Sequence, residues 1–76
     1  MLDFKEKLLP IFKGNEEQVD AYLNYITSHT VVNTEEYTES HHILPESLFP
    51  EYKKCFWNKV NLLAYDHYVV HYLLAF

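Results

Sequence analysis

The residues of this chain best suited to chemistry are histidines. Four of the five fall in its second half, as the adjacent pair His41 and His42 and as His67 and His71, set four positions apart. Imidazole is a good ligand for divalent transition metals and, with an ordinary pKa of about 6.5, a proton acceptor near neutral pH. On a helix, positions four apart share a face, so His67 and His71 can offer nitrogens to one ion. On a strand, adjacent side chains point in opposite directions, so His41 and His42 are expected to divide the work. One completes the coordination sphere and the other takes a proton from water. Three protein nitrogens leave a coordination position open for water or a phosphate oxygen, which suits hydrolysis better than a closed structural site.

Such a site needs a strand that ends near His42 and a helix that carries His67 and His71. Residues Glu35 to Ile43 can run as a strand closed by Pro45, after a turn at Asn33 and Thr34. Glu46 to Trp57 reads as an irregular loop with one turn of helix after Pro50, because proline suits a first helical position. Val60 to Leu63 is a short strand, and Asp66 to Phe76 a helix with an acid in its first turn, where the helix dipole favours it. Ahead of these, Asp3 can cap a short helix that Pro10 ends or kinks. Gly14 marks a turn. Asn15 followed by Glu16, Glu17 and Gln18 resembles a capping box, and Val19, Tyr22, Leu23 and Ile26 recur at helical spacing, which predicts a helix to about Ser28. The expectation is a single α+β domain over residues 1–76, with a helical part at 1–34 and a strand-loop-strand-helix part at 35–76.

A chain of 76 residues has a marginal core unless a metal, a partner or further chain supports it. Its 49% hydrophobic content excludes a disordered tail, and 17% aromatics predict a core of few, large side chains. Trp57, Tyr65, Tyr68 and Tyr72 are accordingly expected to pack inside. His29 is expected to meet the end of its helix or solvent. Cys55 is the single cysteine, which rules out an internal disulfide or a four-cysteine zinc ribbon and predicts a buried thiol in a reducing compartment. No basic-then-apolar leader opens the chain, and Val69 to Phe76 is far short of the ~20 apolar residues a membrane span needs. A soluble, cytoplasmic protein without a membrane partner is therefore expected. The formal charge of −5 opposes non-specific binding to nucleic acid. The excess is nevertheless local: residues 1–40 hold three Lys against eight acids, whereas 41–76 hold three Lys against Glu46, Glu51 and Asp66.

The segments Glu39-Ser40-His41-His42-Ile43-Leu44-Pro45, Asn58-Lys59-Val60-Asn61-Leu62 and Asp66-His67-Tyr68-Val69-Val70-His71-Tyr72-Leu73-Leu74 resemble HNH endonucleases, especially their phage-borne, homing-type branch. The order is the specific feature: a histidine pair followed by proline, then an asparagine, then a helical histidine nine residues beyond it. The second helical histidine is similar to the colicin nuclease arrangement. The resemblance implies a ββα-metal fold and metal-dependent hydrolysis of DNA. It implies His41 as a metal ligand and His42 as the general base that activates water. Asn58 would tie the loop across the motif and orient that base; Asn61, six residues before His67, is a poorer match. His67 would be the second ligand, His71 the third, and Glu39 an acid that orients a ligand. The implied cofactor is one divalent ion, magnesium or a transition metal such as zinc, nickel or manganese.

The chain departs from the family in two ways. The loop after Leu48 lacks paired glycines, and all six basic residues are lysine. Phosphate contacts would then fall to Lys53, Lys54 and Lys59, which act as point charges without the bidentate fork of arginine. Two other readings fit the same residues: a structural module in which His41, His67 and His71, with or without Cys55, hold zinc for folding, and a degenerate interaction domain without activity. The apolar, uncapped end Leu73-Leu74-Ala75-Phe76 predicts a cover, supplied by the N-terminal helices, by a further C-terminal region that reads DNA, or by a second copy.

Overall fold

The computed structural model describes residues 3–75. Asp3 caps the first helix, α1 (Phe4–Leu8), by accepting from the Lys5 and Glu6 amides. The chain leaves α1 just ahead of Pro10 and reverses through Lys13 and Gly14, both at positive φ (55° and 78°), a region glycine enters without steric cost. Asn15 then accepts from the Gln18 amide at 3.1 Å and starts α2 (Glu16–His29), as its capping pattern predicts. Val19, Tyr22 and Ile26 form the buried stripe of this helix. His29 donates from Nδ1 to the Tyr25 carbonyl at 2.8 Å, within the last turn, as expected of it.

β1 (Thr38–His42) and β2 (Lys59–Leu63) pair antiparallel, with His41 opposite Val60 and His42 opposite Lys59. β1 is shorter than the predicted Glu35 to Ile43. Thr38 pairs with Leu63, the last residue of β2, so residues before Thr38 find no partner in the ladder. The long connection between the strands holds two 3₁₀ turns, Pro50–Tyr52 with proline at its start and Phe56–Asn58, which the sequence did not announce. α3 (Ala64–Leu74) follows β2 without an intervening residue and begins two residues earlier than predicted, because Leu63 is at once the strand's end and the helix's N-cap. The part of that prediction that falls on Phe76 lies outside the described residues.

The result is an α+β domain in which the two strands, α2 and α3 enclose a core of Leu8, Phe12, Val19, Tyr22, Ile26, Ile43, Leu44, Leu62 and Val70. Several expected core residues lie elsewhere. Tyr65, Tyr68 and Tyr72 are largely exposed, because α3 packs through the face bearing Asp66 and Val70 and nothing among the described residues covers the opposite face. Trp57 sits at the rim, its ring tilted against Phe4 and Tyr52 at centroid distances of 6.1 and 5.3 Å. Cys55 is only partly buried, since it lies in the exposed connection just before the second 3₁₀ turn. Among the described residues no helix is long and apolar enough to cross a membrane.

Candidate metal centre

β1 carries Glu39 and His41 on one face, two residues apart, and α3 carries His67 and His71 one turn apart. The antiparallel ladder and the direct passage from β2 into α3 bring these side chains together. One ring nitrogen from each of His41, His67 and His71 falls within 4.8 Å of the others. Nε2 of His67 and Nε2 of His71 lie 3.1 Å apart. Nitrogens bound tetrahedrally to zinc lie about 3.3 Å apart, so the three are near enough for one metal ion to draw them together. The three ligand candidates are graded in burial: His41 is 3% exposed, His67 half-buried and His71 exposed.

The hydrogen bonds fix which nitrogens are free. Glu39 Oε1 lies 2.7 Å from His67 Nδ1, and Tyr37 donates its hydroxyl to Glu39 Oε2 at 2.9 Å. A carboxylate can only accept, so His67 carries its hydrogen on Nδ1 and, when neutral, keeps a lone pair on Nε2. His71 then supplies the hydrogen in the 3.1 Å contact, and this is the hydrogen a metal would displace. Electrostatics favours the ligand-ready form. Burial pushes the His41 pKa down from 6.5 to about 3, and the neighbouring His71, His67 and His42 add to the effect. Burial and His67 lower that of His71. Hydrogen bonds from His67 and Tyr37 hold the Glu39 carboxyl below its usual range.

His42 stands apart from this cluster but lines the same open cleft, of about 350 Å³, together with Ser40, Glu46, Ser47 and Leu74. Its Nε2 lies 2.9 Å from the carbonyl oxygen of Lys53. A carbonyl accepts, so a hydrogen is on Nε2 and, in the neutral ring, Nδ1 carries the lone pair. One strand thus delivers a candidate ligand and a candidate base to a single cleft.

Asn58 is fully buried and spends its side chain on the loop. Its Oδ1 accepts from the Leu44 amide at 2.8 Å, and its Nδ2 donates to the carbonyls of Leu44 at 3.1 Å and Tyr52 at 3.2 Å. Tyr52 precedes Lys53, whose carbonyl holds His42, so the asparagine anchors the support of that ring. Asn61 is exposed on β2 opposite Ser40 and takes no part in the loop. The Lys53 ammonium is paired with Glu46 at 3.0 Å, whereas Lys54 and Lys59 are exposed.

Tyr22 is the site residue that sequence reasoning missed. It reads as part of the apolar stripe of α2, but its buried hydroxyl lies 2.8 Å from both His41 Nε2 and the Ile43 carbonyl oxygen. The available signal is its type: a tyrosine in a core stripe must find a partner for its hydroxyl. Tyr25, one turn on, donates to Asp66 Oδ1 at 2.8 Å and ties α2 to the first turn of α3. Comparison with protein-family models, with curated proteins and with solved structures gives no match.

Proposed function

We propose that this chain is an HNH-type endonuclease domain that hydrolyses phosphodiester bonds in DNA with the help of one divalent ion. The observation that supports it best is the presence, in one cleft, of a three-histidine ligand cluster and a separately anchored imidazole with a free Nδ1. A metal held only for folding has no use for the second feature.

In this reading His42 accepts a proton from water through Nδ1 as the water oxygen bonds to phosphorus. The Lys53 carbonyl keeps the ring aimed and stabilises the imidazolium that results. Asn58 holds the loop that supplies this carbonyl. A divalent ion held by His41, His67 and His71 would supply positive charge to the phosphate and to the departing oxygen. The all-nitrogen donor set favours zinc or nickel over magnesium and manganese, which prefer oxygen. Lys54 and Lys59 are the exposed cations available to the DNA backbone, while Lys53 would first have to leave Glu46.

The test is conversion of supercoiled plasmid to nicked or linear product across a panel of divalent metals. His42→Ala should abolish cleavage and keep metal binding. Loss of metal along with activity would refute the division of labour between the adjacent histidines. The burial of His41 within so small a core favours a second reading, in which the metal serves folding alone. A sample that unfolds on chelation and cuts no DNA with any metal would establish that reading instead.

A further inference from the structure

The hydroxyl of Tyr22 has one hydrogen and two polar neighbours, each at 2.8 Å. The Ile43 carbonyl oxygen cannot donate, so it receives the tyrosine hydrogen. The contact with His41 must then run the other way, from Nε2–H to the tyrosine oxygen. The contact itself lies in the interior, with Tyr22 fully buried and His41 only 3% exposed, so the protein's own groups fill both roles. Among the described residues no buried side-chain nitrogen or oxygen is without a partner, and this contact is the tyrosine hydroxyl's one hydrogen bond to a side chain.

We propose that Tyr22 is a positioning residue that holds His41 as its Nε2–H tautomer and thereby makes Nδ1 the nitrogen offered to the metal. The inference rests on the metal-site part of the proposed function. It also assigns a task to α2, which lies outside the strand-loop-strand-helix unit bearing the motif. Through Tyr22 that helix sets a ligand on β1, and through Tyr25 and Asp66 it fastens the helix that bears the other two. Removal of an outer partner of a ligating histidine typically lowers metal affinity by about 10- to 100-fold.

The direct experiment is long-range ¹H–¹⁵N correlation spectroscopy of the metal-free wild-type protein, with zinc affinity measured in parallel by chelator competition. The expected spectrum shows His41 as a single Nε2–H tautomer. Tyr22→Phe keeps the ring that fills the core and removes only the hydroxyl. It should yield a mixture of His41 tautomers and bind zinc at least about tenfold more weakly. A wild-type His41 protonated on Nδ1 overturns the proposal, and so does a folded Tyr22→Phe protein with unchanged tautomer and zinc affinity. The wild-type spectrum decides the matter even where Tyr22→Phe fails to fold. A wild type that takes up no zinc would end the metal reading, while the tautomer observed for His41 would still decide what Tyr22 does.

Discussion

Glu39 holds His67 at 2.7 Å from a position two residues before His41, so one strand face supplies both a ligand candidate and the carboxylate that aims another. Glu39→Ala should therefore weaken zinc binding by roughly 10- to 100-fold and leave the fold intact. Glu39→Gln should fall between the two, because its amide oxygen can still accept from Nδ1 but brings no charge. Chelator competition on the three proteins checks this order. Equal affinities would mean that the carboxylate does not orient the ligand.

His42→Ala should reduce DNA cleavage by roughly 10² to 10⁴, the range usual for loss of a general base, with zinc affinity unchanged. The two readouts are plasmid nicking and metal titration on the same sample.

Asn58→Ala would strand the Leu44 amide and carbonyl in a buried setting and leave the Tyr52 carbonyl with the Cys55 amide alone. A loss of roughly 3 kcal/mol is expected in urea unfolding, since each unsatisfied group costs about 1 to 3 kcal/mol and water can reach part of the opened loop. Asn58→Asp should be worse, because it turns a donor into an acceptor facing two carbonyl oxygens.

Acid should destabilise the metal-free protein. His41 has a folded-state pKa of about 3 against an ordinary 6.5, so between these values the unfolded chain binds the additional proton. Stability then rises with pH across this window and is lost as pH falls below about 6.5, by at most ~1.4 kcal/mol per pH unit for one group. Glu39 acts in the same direction at lower pH: its depressed pKa makes its contribution present above its ordinary 4.5 and lost below it. Urea midpoints measured in chelator at pH 7.5, 6 and 5 should fall in that order. Saturating zinc should raise all three and steepen the dependence, because protons compete with the metal for the same nitrogens. A flat profile in chelator would show that His41 is not held neutral.

Much of the site could be read from spacing, because its principal relations are local. The four-residue step from His67 to His71 and the strand alternation at His41 and His42 are properties of single elements, and both appear in the structure. Asn58 was legible only through its distance from His67. The relations that escaped are long-range and made by hydroxyls. Tyr22 lies 19 residues from His41, and Tyr25 lies 41 residues from Asp66. Periodicity marks a tyrosine as apolar and says nothing of its oxygen. The same blindness placed Tyr65, Tyr68 and Tyr72 inside, since composition records how many aromatics exist and not how many faces α3 can cover. The extent of β1 was overestimated because a strand's length is set by its partner.

The direct passage from Leu63 into Ala64 makes the angular phase of α3 a property of the strand register. With no loop to absorb a change, one inserted residue at this junction would rotate the helix by about 100° and lengthen it by about 1.5 Å. His67 and His71 would swing away from His41 together, Asp66 and Val70 would take their bearing toward the cleft, and the tyrosine-bearing face would turn toward the core. Four inserted residues, close to a full turn, would restore their bearing but shift them along the axis by about 6 Å. The junction therefore admits neither insertion nor deletion without loss of the cluster, although it contains no residue with chemistry of its own.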